Sequence, residues 1–267
     1  MTTINNIQLV VPMAGDGTRF ASAGYEVPKP LLPIHDRRMF EVVLSNLAHQ
    51  RVYRAIIVAK SEWKISQKVH QLSTASPFPI ELLELSELSE GPAHTVEFAK
   101  SSLDMDQPLV IANSDQYLDF DFDQFFLCLS DDGCQGAVLT MQDDSPKWSY
   151  AKIDANGDIV SIIEKQVVSK SATAGIYGFS KARYFFEALQ AMKERNDRVN
   201  GEFYVGPVYN YLEPSNGKIR NFDMGPVGNV MHGLGVPEDY ERFILTKTSM
   251  VAASKASKLF QVNLKDG

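Results

Sequence analysis

The sequence predicts an α/β fold: a doubly wound, mostly parallel but mixed Rossmann-like sheet, with a smaller antiparallel element in the C-terminal half. Three observations lead there. Short apolar runs alternate with amphipathic helical stretches through roughly the first half of the chain, the pattern of β-α-β units. A glycine turn follows the first apolar run directly. Beyond about residue 133 the strand-like runs crowd together around an Asn-Gly turn, as hairpins do.

Ile7 to Met13 reads as a buried strand opening into the tight loop Ala14-Gly15-Asp16-Gly17. Met39 to Gln50 places Phe40, Val43, Leu44 and Leu47 on one helical face, and Ala55 to Ala59 is a second strand. Ile80 to Leu83 and Pro108 to Ala112 repeat the short apolar run, with a helix expected from Ala93 to Leu103 between them. Ala137 to Met141, Tyr150 to Ile153, Ile159 to Ile163 and Ala174 to Phe179 are the later strands, with Asn156-Gly157-Asp158 turning a hairpin. Pro237 opens a last helix, where its fixed φ and the acids Glu238 and Asp239 suit the first turn.

A chain of 267 residues fits one domain with one core, since cores grow to roughly 250–300 residues before splitting. We expect a nucleotide-binding half over about 1–132 and an acceptor-binding half over about 133–267. No apolar run approaches the roughly 20 residues that cross a bilayer, so no membrane partner is expected. No basic segment precedes the first strand, which makes the cytoplasm the expected compartment. A formal net charge of −7 excludes nucleic-acid polymers as partners, because their phosphates require clustered Lys and Arg. A few cations in a cleft still suffice for one nucleotide. Cys128 and Cys134 are the only cysteines and have no partners at zinc spacing, so they read as buried, inert thiols.

The chemistry concentrates between Val10 and Ile34. Gly15-Asp16-Gly17-Thr18-Arg19-Phe20 follows the strand, so backbone N–H groups can face phosphate oxygens unobstructed at two positions. The string lacks the third glycine of the dinucleotide fingerprint and the Gly-Lys-Ser/Thr end of a Walker loop. In Pro28-Lys29-Pro30-Leu31-Leu32-Pro33 two prolines flank one lysine, fixing the local backbone and denying it a helix. Arg19 and Lys29 are therefore candidate triphosphate cations. Asp115, in Asn113-Ser114-Asp115-Gln116, ends a buried strand at the carboxyl edge where doubly wound folds bind ligands, and is the candidate ligand of Mg²⁺. The acids of Asp119-Phe120-Asp121-Phe122-Asp123 read instead as a strand end and helix cap, and His94 as a cap or packed side chain.

Together, Val11-Pro12-Met13-Ala14-Gly15-Asp16-Gly17-Thr18-Arg19-Phe20 and Pro28-Lys29-Pro30-Leu31-Leu32-Pro33 resemble the signature of the nucleotidyltransferases that activate sugar 1-phosphates, the nucleotide-sugar pyrophosphorylases and their cytidylyltransferase relatives. The resemblance extends in order to Asn113-Ser114-Asp115-Gln116, Ile163-Glu164-Lys165, Ala174-Gly175-Ile176-Tyr177 and Gly235-Val236-Pro237-Glu238-Asp239-Tyr240. It implies an enzyme that transfers a nucleotidyl group to a phosphorylated small molecule, releases pyrophosphate and supplies an activated precursor for surface polysaccharide or related synthesis. It places Met13, Ala14, Gly15, Asp16, Gly17, Thr18, Gly91, Pro92, Ala93 and Ser114 on the nucleotide, and Lys165 on the acceptor phosphate. Gln116, Glu164, Gly175 and Glu202 fall to the acceptor. Shorter relatives with a Val-Pro-Met-Ala-Gly opening include cytidylyltransferases, so CTP is the expected triphosphate.

One position departs from the pattern. Many relatives carry a second metal-binding aspartate two residues before the glycine equivalent to Gly235, and here that residue is Gly233. Asp115 then holds the metal with phosphates and water alone, or His232 or another acid compensates. The departure keeps three alternatives open: a cytidylyltransferase with a non-sugar phosphorylated acceptor, a glycosyltransferase, or a nucleotide-binding protein without catalysis. A homo-oligomer is left open.

Overall fold

The structure is a computed structural model and describes residues 6–261. The chain runs β1 (Ile7–Pro12), α1 (Thr18–Ser22), β2 (Pro33–Ile34), β3 (Arg37–Arg38), α2 (Met39–Asn46), β4 (Val52–Lys60), α3 (Ser66–Ala75), β5 (Ile80–Leu85), α4 (Pro92–Glu97), β6 (Leu109–Ala112) and β7 (Gln116–Leu118). It continues α5 (Asp123–Cys128), β8 (Cys134–Gln142), β9 (Ser149–Ile153), β10 (Ile159–Glu164), β11 (Ser171–Phe179), α6 (Ala182–Glu194), α7 (Val205–Val208), β12 (Lys218–Pro226), β13 (Met231–Gly233), α8 (Pro237–Ile244) and α9 (Lys247–Leu259).

The main sheet has the order β5-β4-β1-β6-β11-β8-β12, and the β9–β10 hairpin extends it beside the first residues of β11. Pairs among β5, β4, β1 and β6 are parallel, while β11 is antiparallel to both β6 and β8. The expected mixed, doubly wound sheet is therefore present. Each strand of the centre serves two cores, because its side chains alternate between faces. Leu9 and Val11 enter one core with α2, α3, α5 and α9, whereas Val10 enters the other with α4 and α6. Gln8, wholly buried in β1, exchanges two 2.8 Å hydrogen bonds with the Asp104 backbone, which satisfies an amide the apolar run would otherwise strand.

This winding positions the site. The connections β1 to β4 and β4 to β5 pass through α2 and α3 on one face, and β5 to β6 passes through α4 on the other. The chain leaves β1 on the α2 face and reaches the adjacent β6 from the α4 face, so the winding reverses between these two strands, and their carboxyl ends form the switch point where such sheets bind ligands.

Several boundaries differ from expectation. α2 stops at Asn46, and the helix expected over 93–103 is the six-residue α4 followed by a 3₁₀ turn at Lys100–Ser102. β5 is an edge strand and only partly buried, so its apolar run has solvent on one side. The helix at Pro237 is not the last. α9 follows it, started by Thr246, whose side chain accepts a hydrogen bond from the Ser249 N–H. Among the described residues no helix is long and apolar enough to cross a membrane.

Candidate active site

A cleft of about 340 Å³ opens at the switch point, within the usual scale of roughly 300–1,000 Å³ for small-molecule sites. Its floor is the loop after β1. The Met13 N–H bonds to Val58 O at 2.9 Å and anchors the loop to β4. Gly17 then adopts φ +61°, the left-handed conformation glycine takes without penalty, and its carbonyl starts α1 by accepting from the Phe20 and Ala21 N–H groups. A Cβ on Gly15 would meet nothing within 4 Å, so that side of the loop is open to a ligand.

The two halves of the signature meet. A Cβ on Gly17 would lie 3.4 Å from Lys29 Cβ, and the prolines hold Lys29 at the start of a 3₁₀ turn. Its ammonium donates to Asp115 Oδ2 at 2.6 Å, joining the β1 end to the β6 end across the crevice. Arg19 lines the same cleft and makes no ion pair among the described residues. Asp16 also lines it, but its carboxylate is paired with Lys60 at the end of β4.

The opposite wall comes from β9, β10 and β11. On one edge β11 pairs with β9 at Ala172 and with β6 from Ile176 on, which leaves Thr173 to Gly175 at the cleft. Gly175 has φ +75°, and a Cβ there would fall 2.7 Å from Asn113 Nδ2 and 2.8 Å from Gln116 Oε1. Its carbonyl accepts from the Asn113 N–H and the Gln116 amide, so these three residues form one rigid corner beside Asp115.

Glu164 and Lys165 end β10. Lys165 is left-handed at φ +54°, a conformation of order 1 kcal/mol or more above the ordinary regions for a side-chain-bearing residue. Its N–H bonds to Trp148 O at 3.0 Å, and its ammonium donates to Tyr204 OH and sits 4.3 Å over that ring. Glu164 is buried and accepts from Ser149 Oγ. Burial raises its proton affinity, against the opposing pull of Ser149 and Lys165. The folded state then binds more protons than the unfolded chain above the ordinary carboxylate range. This contribution to stability is full in acid and is lost as pH rises through the elevated value. Glu164→Gln is expected to flatten that pH dependence, measured by denaturant unfolding across the carboxylate and neutral range; an unchanged slope would count against it.

The loop before α4 is clamped to the segment before α7. Phe203 N–H bonds to Glu90 O at 2.8 Å and Ala93 N–H to Phe203 O at 2.9 Å, bringing Gly91 against the segment that carries Glu202 and Tyr204. Gly91 has φ +114°, and a Cβ there would lie 2.7 Å from the Phe203 backbone nitrogen and oxygen. Gly91→Ala is expected to destabilise the fold by about 3 kcal/mol or more, because both the φ and the backbone clash oppose it. A thermal midpoint within 2 °C of the parent, roughly the noise of such small changes, would contradict this.

Most of the expected site residues line this one cleft, with two exceptions. Ala93 is fully buried with its N–H committed to Phe203, and Thr18 is exposed at the start of α1 outside the lining. His94 is a cap, its Nδ1 accepting from the Glu90 N–H at 3.0 Å. Asp121 accepts from the Asp123 N–H at the first residue of α5, and among the described residues no three metal-binding side chains cluster anywhere. His232 does not compensate for Gly233. The alternation of β13 turns it away from the cleft onto Phe243, at 5.3 Å between ring centroids.

Trp148 explains the glycine at 233. A Cβ there would meet its ring at 2.9 Å, and the indole N–H is held by Asp143 at 2.7 Å. Lys147 beside it pairs with Asp239 at 2.7 Å, closing this end of the cleft. Gly233→Asp is therefore expected to lower stability and turnover, and Trp148→Ala in the same chain to recover part of both; an uncompromised Gly233→Asp protein would refute the steric reading.

Sequence reading missed Lys60, Lys147, Trp148, Ser149, Thr173, Tyr177, Tyr204 and Asp239. The one local signal was Lys147-Trp148-Ser149-Tyr150, a cation and aromatics at the mouth of a strand.

A glycine loop, two cations and a carboxylate gathered at the switch point of a doubly wound sheet define a protein built to hold a polyphosphate. The model of the nucleotidyl transferase family matches residues 10–203, and the chain belongs to that family of enzymes. A D-glycero-alpha-D-manno-heptose 1-phosphate guanylyltransferase of Campylobacter jejuni is 23% identical over 248 residues, which span 90% of this chain and 99% of that protein. The crystal structure of a nucleoside-diphosphate-sugar pyrophosphorylase from Vibrio cholerae is similar at TM-score 0.75 and 26% identity, covering 89% of this chain and all of the other. The inositol-1-phosphate CTP transferase of T. maritima shares the fold at TM-score 0.71 and 14% identity, covering 96% of this chain and 97% of that one.

Proposed function

We propose that this enzyme transfers a nucleoside monophosphate from a triphosphate to a sugar 1-phosphate, releasing pyrophosphate. The supporting observation is that Lys29, Arg19, Asp115 and Lys165 line one cleft, with Lys29 on Asp115. An oxygen of the acceptor phosphate attacks the α-phosphorus in line. The new P–O bond forms as the bond to the β-phosphate bridging oxygen breaks, and pyrophosphate leaves with that electron pair. No covalent enzyme intermediate is needed, so the protein contributes positioning and charge.

Lys29 and Arg19 neutralise the triphosphate and the departing pyrophosphate. Lys29 exchanges its contact with Asp115 for phosphate oxygens, freeing the carboxylate. Lys165 orients the acceptor phosphate, and the Asn113, Gln116 and Gly175 corner and Glu202 hold the acceptor's polar groups. The donor set suits Mg²⁺ and not an all-protein metal cage: Asp115 faces the cleft beside Gly235 and near Gly233, which carry no side chain, and no three metal-binding side chains cluster among the described residues, whereas Mg²⁺ characteristically takes one or two carboxylates plus phosphate and water. Asp115 would hold the ion, which supplies charge neutralisation along the triphosphate when bound.

The whole chain acts as one unit in the cytoplasm, with the nucleotide on the β1 to β6 side and the acceptor on the β9 to β11 side. Its product is an activated sugar for polysaccharide synthesis. The test incubates the protein and Mg²⁺ with each of four common triphosphates and a panel of phosphorylated sugars, polyols and amides. Pyrophosphate formed with a sugar 1-phosphate supports the proposal. Nucleoside diphosphate release, or binding without turnover on any acceptor, would reject it. CTP as donor and the guanylyl transfer named for the C. jejuni relative are separated by the same assay.

A further inference from the structure

A second depression, of about 270 Å³, lies behind the Lys29 turn and is lined by Leu31, Arg38, Phe40, Trp63, Lys64 and Lys68. The chain carries a formal charge of −7, yet this lining holds three cations and no carboxylate. Lys64 is exposed, left-handed at φ +51° and makes no ion pair among the described residues. Lys68 reaches the buried Glu41 at 3.1 Å, so one of the three charges is compensated from behind. Arg38 donates one N–H to Leu31 O at 2.8 Å, which leaves other guanidinium donors to the depression and ties its wall to the turn bearing Lys29. The ten-residue α3 begins at this rim after Ile65, with no side-chain cap and no acid in its first turn, so its first N–H groups and dipole add to the positive field. Trp63 supplies a half-buried ring in the same wall.

The geometry points to a second nucleotide site, separate from the cleft, in which the phosphate meets Arg38, Lys64, Lys68 and the start of α3 while the base lies against Trp63. Its volume falls just below the roughly 300–1,000 Å³ of drug-sized sites, which favours a mononucleotide over a larger conjugate. The inference stands whether or not the cleft performs the proposed transfer, because none of these residues lines the cleft.

The chain has two tryptophans, one at each site. In a Trp148→Phe protein, Trp63 is therefore the sole indole reporter. Titration with CMP and GMP is expected to give a saturable change in Trp63 fluorescence, weaker with inorganic phosphate and absent with the uncharged nucleosides. Adding Lys64→Glu should weaken that binding about tenfold or more, the scale of one lost charge-assisted contact. Calorimetry on the otherwise native protein should find one nucleotide site per chain more than it finds after Lys64→Glu. No saturable Trp63 response, or one that survives Lys64→Glu unchanged, overturns the inference.

Discussion

Replacing Asp115 by alanine is expected to reduce turnover by about three decades while leaving the protein folded. Removing one group that acts on developing charge costs about 2–4 kcal/mol, or two to three decades in rate. Asp115 has two such roles, because it is the proposed Mg²⁺ ligand and the partner of Lys29 at 2.6 Å. Without it the lysine loses its anchor as well. The Lys29 side chain is 21% exposed and borders the open cleft, so the lysine left behind reaches solvent and folding suffers little. Pyrophosphate release at saturating Mg²⁺ measures the effect, with circular dichroism melts showing the fold. A rate within a factor of ten of the parent, about 1.4 kcal/mol, would remove Asp115 from the chemistry.

Lys29→Ala is expected to cost two to three decades in kcat/KM by the same scale, with the loss in both triphosphate binding and turnover. Its ammonium is the cation that the prolines pin, and it sits on Asp115. Arg19 remains and keeps residual activity above background. The two substitutions combined should lose much less than the sum of their separate losses, since each already breaks the same unit. Full additivity of the two free energies, measured from kcat/KM of all four proteins, would show that Lys29 and Asp115 act independently.

What the amino-acid pattern revealed follows from which contacts are local. β1 and its glycine loop are contiguous, and periodicity and the Gly15 and Gly17 pair identify them without any knowledge of partners. The hairpin at Gly157 and the Pro237 start of α8 are likewise written in adjacent residues. The far wall of the cleft is different. Trp148 meets position 233, Lys147 meets Asp239 and the Gly91 loop meets Phe203, each across 85 or more residues, and no local period marks them. Ala93 shows the converse failure: its motif is contiguous with Gly91, yet a long-range strand-like bond takes its N–H. α9 escaped because Ser and Lys alternate among its small buried alanines, which blurs the apolar stripe.

Trp148 gives the departure at Gly233 a physical cause. The space a second carboxylate would need is filled by an indole that Asp143 orients, so the cleft beside position 233 is more apolar here than an aspartate would make it. On the proposed function the metal would depend on Asp115 and the substrates, and the Lys29 to Asp115 exchange would be the step on which triphosphate binding turns.

A crystal structure with a triphosphate and Mg²⁺ bound tests that most directly. The phosphates should rest against Gly15 to Arg19, with Lys29 Nζ moved from Asp115 onto a phosphate oxygen. Phosphates seated elsewhere, with the Lys29 to Asp115 pair still closed, would contradict the account.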